Sequence, residues 1–133
     1  MTPNDMRILK ALVAVAWADG KVQASETHVL ENLLAGFDAN DAEKSEIRVY
    51  AKQPRSLDAD IPVAELTAED RETLLANAAV LVGADGKKTD EEKAILEKLG
   101  SLLKFSADQA HAIIESAADG AISIGTRGLV DDA

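Results

Sequence analysis

Ala18-Asp19-Gly20-Lys21 returns as Ala84-Asp85-Gly86-Lys87, 66 positions further along the chain, and that repetition decides the fold reading. In each copy a Glu follows the Asp by seven positions, at Glu26 and Glu92. The apolar residues downstream keep the offset, Val29, Leu30 and Leu33 answering to Ile95, Leu96 and Leu99. A recurrence on this scale is the signature of a repeated supersecondary unit, so the chain reads as two copies of one helical unit. Asp-Gly at the end of an apolar stretch supplies the left-handed residue that closes a helix. Gly20 and Gly86 are therefore expected at positive φ, with Asp19 and Asp85 exposed beside them.

Working outward, Thr2-Pro3-Asn4-Asp5 offers a cap and a first-turn Pro. The segment Ile8–Trp17 that follows is apolar nearly all round, the pattern of a helix surrounded by others. Ala78–Val82 has the same character, behind a cap at Thr67 with Asp70 in the first turn. These two helices are expected to form the central pair, with Leu12, Val13, Ala16, Ala78, Ala79 and Val82 at their interface. Ser25 is the expected cap of the second helix, which carries Val29, Leu30, Leu33, Leu34 and Phe37 at helical period. Thr89 or Asp90 plays that part for Ile95, Leu96, Leu99, Leu102 and Leu103. A third helix in each unit follows from the parallel between Phe37–Ala42 and Phe105–Ala110, here at an offset of 68, as if two residues had been gained near Gly100. The expectation is an all-α, compact helical bundle of six or more helices and no strand. Its single domain divides into repeat 1 (about 4–52), a linker (53–66) pinned by Ile61, Val63 and Leu66, repeat 2 (about 67–118) and a Gly-rich tail (119–133).

The bulk properties agree with a small helical domain. Of 133 residues 47% are apolar and only 3% aromatic, so the core must be built from Ala, Leu, Val and Ile. A formal charge of −10 and a pI near 4.6 speak against nucleic acid as a ligand, since phosphate binding needs clustered Lys and Arg. No apolar run approaches the roughly 20 residues of a membrane span, which gives a cytoplasmic expectation with no direct membrane insertion. The chain has no Cys, which removes disulfides and thiolate chemistry.

The acidic loops are the first candidate site. Asp-Gly with a Glu six residues after the Gly has the spacing of the second half of an EF-hand loop. The first half is missing, because Val15, Trp17, Leu81 and Gly83 stand where the first oxygen ligands belong. Asp19 with Glu26, and Asp85 with Glu92, then form at best a weak divalent-cation site for calcium or magnesium. The competing reading needs no ligand: Glu26 and Glu92 sit in first helical turns, where the helix dipole favours a carboxylate by about 0.3–1 kcal/mol, and Lys21 and Lys87 lie alongside. Ala118-Asp119-Gly120 lacks the downstream Glu and supports Ala-Asp-Gly as first of all a helix terminator. His28 and His111 belong to no zinc-binding pattern and read as structural helical residues. No nucleophile elbow or phosphate-binding loop occurs, and the catalytic and cofactor-binding sets are empty.

Two Ala-Asp-Gly-Lys motifs, each ending an apolar helix and each followed by an acidic first turn, resemble the TerB family of bacterial tellurite-resistance proteins. The resemblance extends to the related N-terminal region of the membrane-anchored co-chaperone DjlA and covers about Met6 to Ala118. It implies a compact all-helical fold of two pseudo-symmetric halves, no enzymatic activity, and a link to metal-ion and stress-response systems. Its paired acidic motif falls on Asp19 with Glu26 and on Asp85 with Glu92. No His-Pro-Asp motif is present, so J-domain chemistry is not implied. Two function classes follow: a non-enzymatic stress-response module that binds a protein partner, with a weak cation site at the loops, and, as the alternative, a small metal-dependent or acid/base enzyme whose carboxylates show no recognisable spacing.

Overall fold

A computed structural model describes residues 2–20, 22, 24–82 and 90–118, with the backbone alone at Asp19 and Ala118. Among these residues the chain is all-helical: α1 (Pro3–Ala16), α2 (Ala24–Gly36), α3 (Asp41–Tyr50), α4 (Leu57–Asp60), α5 (Ala68–Val82), α6 (Asp90–Leu102) and α7 (Ala107–Ala118). The start of α1 follows directly from its sequence. Thr2 Oγ1 accepts from the Asp5 amide at 3.0 Å while the Asp5 carboxylate accepts from the Thr2 amide at 3.1 Å, a reciprocal box that satisfies two otherwise orphaned donors. Pro3 occupies the position where a missing N–H costs nothing. At the other end α1 tightens into a single 3-10 turn, Trp17–Asp19, and stops at Gly20 with φ 100°, as the Asp-Gly pair predicts. Gly86 lies outside the described residues.

The core is organised around α1 and α5, which pack against each other. Every residue from Ala11 to Ala16, together with Ile8 and Leu9, is at most 1% exposed, so α1 has only its N-terminal turn and one flank in water. Around it lie α2, α3, α4 and α5, while α5 is flanked in turn by α6, α7 and α2. Of the expected interface residues, Leu12, Val13, Ala16, Ala78 and Val82 are buried and Ala79 is half-buried. Leu74, Leu75 and Leu81 join them. At about 1.5–3 kcal/mol for each large aliphatic side chain removed from water, this central pair supplies a large part of the driving force for folding.

The ends of the outer helices correct the sequence alignment. Phe37 and Leu103 donate to Leu33 O and Leu99 O; Asp38 and Lys104 to Ala35 O and Ser101 O; Ala39 and Phe105 to Leu34 O and Gly100 O. Asp38 and Lys104 both adopt the left-handed conformation, at φ 62° and 68°. Both helices thus finish in the same six-to-one and five-to-two hydrogen-bonded motif, and Phe37 answers to Leu103 rather than to Phe105. The offset stays at 66 into the third helices, where Asn40 boxes with Glu43 and Ser106 with Gln109. At that offset no insertion near Gly100 separates the two helix ends, although the two Phe residues are identical in type at an offset of 68.

One cap expectation also shifts, and a second narrows. The helix α2 begins at Ala24, so Ser25 lies inside its first turn, and α6 begins at Asp90, which leaves Asp90 within the helix rather than before it. Thr89 is outside the described residues. The linker is ordered by anchors: Leu57, Ile61 and Leu66 are buried and Val63 is half-buried. Ser56 caps α4 by accepting from the Asp58 amide, and Lys98 of α6 reaches Asp58 at 3.0 Å.

Candidate functional site

The structure brings only part of the acidic-loop constellation into view. Glu26 and Glu92 each occupy the third position of their helices, α2 and α6, where the exposed amides of the first turn favour a carboxylate. Glu26 is only 8% exposed, Glu92 is half-buried, and both are engaged in polar or electrostatic interactions. The Asp19 carboxylate and all of Lys21, Asp85 and Lys87 lie outside the described atoms. Val15 and Leu81, at EF-hand ligand positions, are buried apolar core. Trp17, at another, points its indole Nε1 to the Ala51 carbonyl at 2.9 Å, tying the end of α1 to the end of α3. Among the described residues no group of three or more His, Asp or Glu side chains is arranged to hold a metal ion.

His28 and His111 both lie on helices, α2 and α7, and both are exposed. Asp70, the most buried carboxylate among the described residues, is committed to helix capping. Its Oδ2 accepts from Asn4 Nδ2 at 2.7 Å and from the Thr67 amide at 3.3 Å, while Thr67 Oγ1 accepts from the Asp70 amide at 3.0 Å. Tyr50 lies under the Arg55 guanidinium, 3.6 Å from the ring centroid, with Lys10 Nζ at 5.4 Å. Burial and the nearby Asp60 push its hydroxyl above its ordinary acidity range, against the pull of the two cations.

What the sequence reading missed is a pair of grooves, one between α2 and α3 and one between α6 and α7. Between α2 and α3 a groove of about 340 Å³ has Val22, Leu30, Leu34 and Ile47 as its apolar walls. It is bridged by Arg48, whose Nε and terminal nitrogen reach the two oxygens of Glu31 at 2.9 and 2.7 Å. This two-pronged bond holds the Glu31 carboxyl below its ordinary value and raises Arg48 above its own. Between α6 and α7 a groove of about 270 Å³ has Ala79, Val82, Leu96 and Ile114 as its floor, with Glu92, Lys93, Glu97, His111 and Glu115 around it. At the shared offset of 66, Glu31 answers to Glu97 but Arg48 answers to Ile114. The first groove is strapped by an ion pair between α2 and α3, and where its arginine stands the second has an isoleucine. The signal was present in the sequence, but only the offset read from the helix ends exposes it.

Among the described residues no helix is long and apolar enough to cross a membrane. No family model, curated protein or solved structure matches the chain.

Proposed function

We propose that this chain is a non-enzymatic, TerB-like binding module of two pseudo-symmetric helical repeats, which serves a bacterial stress response in the cytoplasm by holding a protein partner. One observation carries the reading: the grooves between the outer helices are open, with apolar walls and charged rims, while the most buried carboxylate among the described residues, Asp70, is consumed in capping α5. Open apolar grooves suit the side chains of a partner. The recurrence of the same helix-ending hydrogen bonds at Asp38 and Lys104 supports the two-repeat architecture.

A weak calcium or magnesium site at Asp19 with Glu26 and Asp85 with Glu92 forms the second part of the proposal. Two carboxylates per copy fall short of the roughly six to eight oxygens calcium prefers, so backbone and water must complete the set and affinity is modest. Two measurements test the reading. Affinity capture from a bacterial lysate should return one reproducible partner, and a clean capture with no specific interactor would remove the partner. Melting temperature should rise with millimolar calcium or magnesium through ligand linkage, and Asp19→Asn combined with Asp85→Asn should abolish the rise. A melting temperature indifferent to both ions leaves the helix-dipole role of Glu26 and Glu92 as the whole account of those residues.

A further inference from the structure

We propose that the α6–α7 groove is the docking surface, and that its occupant is a basic amphipathic segment of a partner protein whose aliphatic side chains enter between Leu96 and Ile114. The inference rests on the binding-module reading above and deepens it by naming the surface and the chemistry of the partner. Leu96 and Val82 are 5% and 7% exposed, and Ala79 and Ile114 are half-buried, so the floor is a shallow apolar trough. A cavity of about 150 Å³ takes a benzene ring; the 270 Å³ here takes one or two Leu-sized side chains. Around the trough stand the carboxylates of Glu97 and Glu115 and the ammonium of Lys93, with Glu92, itself engaged in a polar or electrostatic interaction, at one end.

The sister groove shows what this one lacks. There Arg48 of α3 crosses to Glu31 of α2 and occupies the carboxylate with a cation of the chain's own. Here Ile114 takes the place of that arginine and α7 contains no Lys or Arg, so the Glu97 carboxylate suits a Lys or Arg brought by something else. Charge selects among occupants. A second copy of this chain carries −10 and would set one acidic rim against another, a like-charge juxtaposition that disfavours association. The chain's own residues 119–133 hold three Asp against one Arg and so bring no net positive charge to such a rim. A basic partner segment gains on both counts, through apolar contact with the floor and charge complementarity with the rim.

The test uses the full chain and a synthetic peptide of about 16 residues, four helical turns, with Leu at i, i+3, i+4 and i+7 spacing and Lys elsewhere. Binding is followed by amide chemical shifts and by fluorescence anisotropy at physiological ionic strength. The expected result is a localised shift at Leu96, Glu97, Ile114 and Glu115. Ile114→Arg, which gives α7 the arginine that α3 has at Arg48, should weaken binding about tenfold or more, and Glu97→Lys, which leaves the floor intact and touches only an exposed residue, should weaken it several-fold. A peptide of equal charge with Ser for Leu should produce no groove shifts. Shifts scattered over the acidic surface, or affinity indifferent to both substitutions, overturn the proposal. So do groove shifts caused by Ile122→Asp without peptide, which assign the groove to the chain's own C-terminal residues, and a concentration-dependent dimer dissolved by Ile114→Arg, which assigns it to a second copy. A natural partner still captured by Ile114→Arg and Glu97→Lys removes this groove and leaves the binding-module reading standing, whereas the absence of any reproducible partner removes that reading whatever the peptide does.

Discussion

Asn4 donates from its side-chain amide to Asp70 at 2.7 Å, across 66 residues of sequence, and so joins the first turn of α1 to the first turn of α5. Two helix N-termini side by side bring together two partial positive charges. The Asp70 carboxylate, 1% exposed, lies where both favour it, and it completes the capping box of its own helix through Thr67. Arg7 extends the connection, hydrogen-bonding to Asn4 Oδ1 and approaching Glu65 of the linker at 3.3 Å. One polar cluster thereby fixes the relative placement of the two central helices at the end where packing alone is weakest.

Asp70→Ala should therefore cost about 2–4 kcal/mol, the sum of a lost cap and a charge-assisted hydrogen bond. Asn4→Ala alone should cost less, about 1–2 kcal/mol, because Asp70 keeps Thr67. Urea unfolding of both single variants and the double variant tests the link. A coupling energy near zero would show that the bond between Asn4 and Asp70 contributes nothing.

Leu12→Asp should cost on the order of 3 kcal/mol or more, because a fully buried position between α1 and its neighbours would receive a carboxylate with no partner. Loss of the cooperative thermal transition is the expected readout, while Val49→Asp, at the 60% exposed Val49, should leave the transition within about 0.5 kcal/mol of the wild type.

Gly20→Ala should destabilise by about 1 kcal/mol. No atom lies within 4 Å of the added Cβ, so the whole cost comes from holding a side chain at φ 100° rather than from a clash. Lys104→Gly should act in the opposite direction, by a few tenths to about 1 kcal/mol, since a residue at φ 68° would lose its left-handed penalty. Denaturant midpoints moving the same way for both variants would contradict the backbone argument.

At Gly100 the constraint is close approach. An added Cβ would stand 3.0 Å from Ala110 Cβ, so α7 lies on α6 at the distance a glycine permits. Gly100→Leu, which places there the residue type that α2 has at Leu34, should cost about 1–3 kcal/mol by overpacking. Gly100→Ala should be nearly neutral, a gain of about 1 kcal/mol in helix propensity offsetting the crowding. Calorimetric melting of the two variants separates crowding from propensity.

Glu31 gives a pH dependence with a definite sign. Its folded pKa lies below the ordinary 4.5 because of the hydrogen bond from Arg48. The contribution is therefore complete above the unfolded value and is lost as the pH falls through the lower folded value. The stability gap between the wild type and Glu31→Gln should be constant through neutral pH, close in acid, and shrink with added salt, since the pair is largely exposed. A gap that widened in acid would reverse the assignment.

The sequence by itself determined the helical class, the central pair, the caps at Thr2 and Thr67 and the left-handed Gly20, because these depend on local periodicity and on hydrogen bonds spanning three or four residues. It also located Leu12, Val13, Ala16, Ala78 and Val82 in the core, since helices apolar on every side have nowhere else to go. Tertiary structure alone decided the register of the third helices, where the backbone bonds at Asp38 and Lys104 overruled the likeness of two phenylalanines. It alone joined Asn4 to Asp70, set Arg48 across from Glu31, and opened the α6–α7 trough that Glu97 and Ile114 both line. These relationships run between elements far apart in sequence, and a side chain's partner across such a distance is set by how whole helices pack, which no local pattern encodes.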